Sequence, residues 1–180
     1  MTNKSSLFAA AAAALGAASL AYAATPATAD SGPSDAQIAH IAYTAGALDV
    51  AAAKQALAKS RNAEVRSFAN VMLRDHQAVN GQALALVKKL KVTPADNGTS
   101  AALSGAAAAT MTRLGALDGA AFDRAFAINE VAFHRTVNGA LKDTLIPSAD
   151  NGELKSLLET GLTLFGEHQA HAEHLAARLK

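Results

Sequence analysis

An all-helical fold is what this sequence predicts, and three observations carry the expectation. Apolar residues recur in steps of three and four over several long stretches. Strand-like alternation is absent and β-branched residues are sparse. Turn chemistry is confined to a few short clusters. Four long helices in two hairpins, joined by a connection that carries a short extra helix, satisfy all three.

The first helix is expected over about 34–59, where Ser34 and Asp35 offer N-cap chemistry. Asn62 caps a second over about 63–91, and so short a turn makes the two antiparallel neighbours. Pro94 and the Asp96-Asn97-Gly98 cluster mark a loop over 93–99, followed by a short alanine-rich helix over about 100–114. Asp118-Gly119 starts a fourth long segment that is expected to end before Pro147, and Asn151-Gly152 precedes a last helix running to the C-terminus. A crossover between two helical hairpins is the ferritin-like variant of the four-helix bundle, and an up-down bundle with a fifth packed helix is the competing arrangement.

Ahead of these helices the chain reads as an export signal. Lys4 precedes an alanine- and leucine-rich run over 7–20, and Ala21-Tyr22-Ala23 has the small-x-small pattern of a cleavage site, so cleavage is expected after Ala23. The run is shorter than the roughly 20 residues a spanning helix needs. No cysteine follows it, which closes the lipoprotein route. The expected organisation is a signal peptide over 1–23, a disordered leader rich in Ala, Thr, Pro and Ser over 24–33, and a helical domain over 34–180. Such a protein is periplasmic or secreted, with no transmembrane span after cleavage. The absence of cysteine excludes disulfides and thiolate metal sites.

Charge excludes one partner class. Once Lys4 leaves with the signal, the 16 basic residues become one fewer and match the 15 acidic ones, with no basic block. Nucleic-acid binding has no electrostatic footprint here.

Each long helix carries an ionisable residue in or beside its apolar stripe. On the second, Val65, Phe68, Met72, His76, Val79, Ala83, Leu86 and Leu90 share a face, with His76 at its middle. On the first, Asp49 lies among small residues in the row Ile38, Ala42, Ala45, Asp49, Ala52 and Ala56. Glu130 and His134 share a face of the fourth with Ala127, Val137 and Leu141, and His168 lies in the row Leu154, Leu157, Gly161, Leu164, His168, Ala172 and Leu175 of the last. Burying one unpaired charge costs several kcal/mol, on the order of the whole stability, so such residues are expected to meet.

At about 1.5 Å per residue, Asp49 and His76 stand level across the first turn. His134 and His168 match less well across the second, and Glu130 stands closer to the level of His168. The candidate ligands are therefore Asp49, His76, His134 and His168, with Glu130 as a supplement or replacement for His134. Imidazole with carboxylate suits zinc, copper or iron. Asp75, next to His76, either orients a histidine from a neighbouring helix or is simply solvated. Met72 fits core packing, the His168, His171 and His174 steps fit a solvated face, and His40 carries no constellation.

From about Asp35 to the C-terminus, these residues resemble an uncharacterised bacterial family of the ferritin-like superfamily, a domain of unknown function (4142) often labelled a predicted outer membrane protein. The resemblance runs through Asp35-Ala36-Gln37, Gly46, Asp49-Val50, Phe68-Ala69, Met72, Asp75-His76 and Asn80. It continues through Phe122-Asp123-Arg124-Ala125, His134, Glu167-His168 and Ala172. It implies a ferritin-like bundle. Asp49 stands where the family usually has glutamate, and Phe133 where it tends to have an acid. Carboxylate-bridged di-iron chemistry is not expected, because Leu73, Val131 and Phe165 stand where a Glu-x-x-His motif needs glutamate.

The function expected is metal binding, buffering or sensing by an exported bundle. The alternative is a non-enzymatic envelope or stress-related protein, with oligomerisation or an envelope protein as partner, in which the same residues form a hydrogen-bonded network without metal. No nucleophile–base pair or phosphate loop points to an enzyme.

Overall fold

The computed structural model describes residues 32–179, and every regular element among them is helical. The expected signal over 1–23 and most of the leader over 24–33 lie outside the described residues. Helix α1 spans Asp35–Lys59, α2 Ala63–Leu90, α3 Gly98–Gly115 and α4 Gly119–Ala140. A π-helical turn over Leu141–Leu145 and the short α5, Ile146–Ser148, extend α4, and α6 spans Gly152–Arg178.

Side-chain caps set most of these boundaries. Ser34 and Gln37 form a capping box at the start of α1. The Asn62 side chain accepts from the N–H groups of Glu64 and Val65, and Asn151 does the same for Glu153 and Leu154. Helix α3 begins two residues earlier than expected, because Asn97 is the cap and boxes with Ser100. Lys91 ends α2 in the left-handed region, at φ 55°.

A second boundary differs from expectation. The fourth helical segment does not stop before Pro147 but runs through it to Ser148. Pro147 cannot donate a bond back along the helix, and the wider π turn lies directly ahead of it. The π geometry takes up the break that the sequence suggested would end the helix.

The long helices pack in the cyclic order α1, α2, α6, α4, with α1–α2 and α4–α6 as the closest pairs. Helix α3 rests on α1 and touches α4. The Asp35 carboxylate accepts from the backbone N–H groups of Asp150 and Asn151, each at 3.0 Å, and so clasps the starts of α1 and α6. Two apolar clusters fill the interior. One contains Val65, Phe68, Met72, Leu114, Phe122 and Phe126, and the other Ile38, Ile41, Leu141, Leu145, Leu154 and Leu158. Among the described residues no helix is long and apolar enough to cross a membrane.

Candidate metal centre

Five buried polar side chains gather between the two clusters. Asp49 on α1, His76 on α2, Glu130 and His134 on α4, and His168 on α6 are all buried, none more than 3 % exposed. Each stands on the core-facing stripe of its helix, which is why helical periodicity alone delivers it to the interior. Ala45, Ala52 and Ala53 surround Asp49 on α1 and leave room for the other groups.

All five residues come together. His76 Nε2 stands 3.0 Å from Asp49 Oδ2, and His134 Nε2 stands 3.5 Å from the same oxygen. The three imidazole centroids form a near-equilateral triangle: His76–His134 5.7 Å, His76–His168 5.3 Å and His134–His168 5.6 Å. Glu130 Oε2 is 3.8 Å from His134 Nδ1. Ligand atoms of His76, His134 and His168 lie within 4.8 Å of one another, as do those of Asp49, Glu130 and His134. The sequence left open whether Glu130 or His134 serves from α4. Both face the cluster, because one helical turn separates them and both side chains are long enough to span it.

Partners on the outer side orient two of the imidazoles. His134 Nδ1 lies 3.0 Å from the Glu130 carbonyl, which fixes its N–H there and turns the lone pair of Nε2 toward Asp49. His168 Nε2 lies 3.1 Å from Asp75 Oδ2, so Nδ1 is its inward nitrogen. Asp75 is held in turn by Arg74, at 2.6 and 3.0 Å. Of the two roles open to Asp75, it takes that of a partner to a histidine, 93 residues further along on α6. The ring of Phe165 stacks on His76, with centroids 4.7 Å apart and planes 11° apart.

Electrostatics sort the acids and bases. Burial pushes the Glu130 carboxyl well above the usual range, and the Asp49 charge pushes it the same way, so Glu130 is the protonated member of the pair. Burial acts on Asp49 in the same sense but is outweighed by the adjacent His76 and His134, leaving its carboxyl below the usual range. Burial lowers His134, and lowers His168 to about 4 against the pull of Asp75. At neutral pH the centre therefore presents the Asp49 carboxylate and, from His134 and His168, neutral imidazoles with lone pairs to offer.

Two overlapping groups of these residues could hold a metal ion: His76, His134 and His168, and Asp49, Glu130 and His134. Two donors about 2.1 Å from a tetrahedral ion stand roughly 3.4 Å apart. The separations of 3.0 and 3.5 Å at Asp49 bracket that value. Six buried donor atoms here have no hydrogen-bond partner: Asp49 Oδ1, both nitrogens of His76, Glu130 Oε2, His134 Nε2 and His168 Nδ1. The His76–Asp49 contact is short yet out of line for a hydrogen bond, as expected of lone pairs aimed at a common point. A cavity of about 230 Å³ between α1, α3 and α4 reaches Asp49 and Glu130.

Other sequence-singled residues behave more simply. Met72 packs in the apolar cluster, and His171 and His174 are exposed. His40 is a correction: it sits 2.9 Å from Ser100 Oγ and 3.0 Å from Asp96, and so ties the start of α3 to α1. No local pattern announces that contact, since its partners are about 60 residues away in the chain. Asp123, which enters the sequence reading only through the family resemblance, is buried with one carboxylate oxygen unpaired.

A family model matches residues 17–175. No significant match to the chain was found among the curated proteins or among the solved structures. On the strength of the family match, which spans both apolar clusters and the polar centre between them, the chain belongs to the family described as Domain of unknown function (DUF4142).

Proposed function

We propose that the protein is an exported, ferritin-like helical bundle that binds one transition-metal ion, zinc being the best fit, through Asp49, His76, His134 and His168. The observation that carries this reading is a pair of buried donor triads, His76/His134/His168 and Asp49/Glu130/His134, that share His134 and draw unpartnered donor atoms from four helices. Zinc tolerates three nitrogens and one oxygen without demanding a particular ligand field, and copper and iron are the next candidates. Glu130, protonated without metal, is the proton the centre gives up or keeps when a cation enters. Such a site stores, buffers or senses metal in the envelope. The helical ring and the α3 crossover support the ferritin-like assignment, and the Lys4-to-Ala23 pattern supports export to the periplasm.

Elemental analysis of the untagged chain from Ala24, beside His76→Ala and Asp75→Asn, tests the reading. One transition metal per chain is expected, lost in His76→Ala and bound about 10- to 100-fold more weakly in Asp75→Asn. No metal after reconstitution with zinc, copper and iron would leave the same cluster as a hydrogen-bonded polar core.

A further inference from the structure

Beyond the centre, toward the turn that joins α5 to α6, the interior is hollow. A cavity of about 130 Å³ lies between α1, α2, α4, the π turn and α6, under the first turns of α3. It exists because small residues face inward there: Ala39, Ala42, Ala45, Ala83, Ala140 and Gly161 all line it. Leu141 and Leu145, presented by the π turn, form part of the wall. None of the lining side chains carries a charge. Phe165 closes the cavity toward the centre, since its ring both lines the wall and stacks on His76.

Left empty, such a space forfeits the dispersion contacts of its walls, which destabilises the fold. An apolar cavity of this size excludes water and accepts a molecule about as large as benzene. At its solvent edge stand Thr99 and Thr136, both exposed, and the half-buried Asn80, none of them charged.

We propose that this cavity binds one short alkyl chain, of about six carbons, whose neutral head is left at the uncharged solvent edge. The tail replaces missing side-chain volume. The head group is neutral because a carboxylate would find no cation at the rim. The proposal stands apart from the metal site, which lies behind Phe165.

The test is a titration of the protein with 1-hexanol, followed by the methyl NMR signals of its alanines, with hexanoate as the charged comparison. Saturable shifts are expected at Ala42, Ala83 and Ala140, with Ala69 and Ala127 at the other end unmoved. At ten times the dissociation constant the thermal midpoint rises by about 2–5 °C. Ala83→Leu, which fills the cavity, abolishes both effects, and hexanoate binds at least tenfold more weakly. Shifts that do not saturate, that appear equally at both ends of the bundle, or that survive Ala83→Leu would overturn the proposal. So would hexanoate binding as tightly as the alcohol. The wild-type titration decides the matter even if the variant fails to fold.

Discussion

The two ends of this bundle are built from the same four helices and filled in opposite ways. On the α1–α2 turn side of the centre, Val65, Phe68, Met72, Leu114, Phe122 and Phe126 are all at zero exposure. Phe68 and Phe126 meet edge-on at 6.1 Å, and Phe122 and Phe126 stack at 6.0 Å. On the other side, alanines face a cavity of about 130 Å³. Helix spacing is set by the bundle as a whole, so a change from aromatic to alanine across the centre produces volume and not collapse. The polar cluster sits at the boundary, with Met72 one turn to the packed side of His76 and Val79 one turn to the hollow side. One end supplies rigidity to hold the donor atoms in place, and the other supplies space.

Substitutions sharpen or break this contrast. The largest effect is expected for Phe126→Ala, which opens a hole in the packed end and costs about 3–5 kcal/mol in chemical denaturation. A loss under about 1 kcal/mol would mean that this end collapses readily and is not the rigid half. The next test applies one change to both ends. Ala69→Leu overpacks a filled interior and costs about 1–3 kcal/mol, whereas Ala83→Leu enters the cavity and is neutral or stabilising by up to about 1 kcal/mol. Equal losses at the two positions would erase the distinction.

The smallest effect is a pH dependence of the metal-free protein. His134 and His168 are lowered by burial, His168 to about 4, so between pH 6.5 and 4 the unfolded chain binds protons that the folded one refuses. That contribution is complete above pH 6.5 and is lost as pH falls through the window. Glu130 opposes it: its raised carboxyl favours the folded state below its own titration and weakens it as pH rises. Denaturant midpoints measured from pH 4 to 7 should therefore change gently, and His168→Gln should make stability fall less on acidification. An unchanged profile in that variant would show that burial does not hold His168 neutral.

Much of this was legible in the sequence, for identifiable reasons. Asp49, His76, His134 and His168 interrupt apolar rows at helical spacing, and periodicity says which face of a helix a residue occupies. Asn62 and Asn151 announced helix starts through local chemistry that needs no tertiary partner. The π turn left no such mark, and Pro147 was read as a terminator. The hollow end was not legible either. Ala83, Leu86 and Leu90 continue the stripe of α2 and were expected in the core, yet all are only half-buried. Periodicity reports direction, while filling depends on what three other helices bring to the same level.

A zinc-soaked crystal with anomalous scattering at the zinc edge tests most directly whether donors from four helices share one ion. One peak is expected, about 2.0–2.2 Å from Asp49 Oδ2, His76 Nε2, His134 Nε2 and His168 Nδ1. A peak at the exposed His171 and His174, or none inside the bundle, would contradict it.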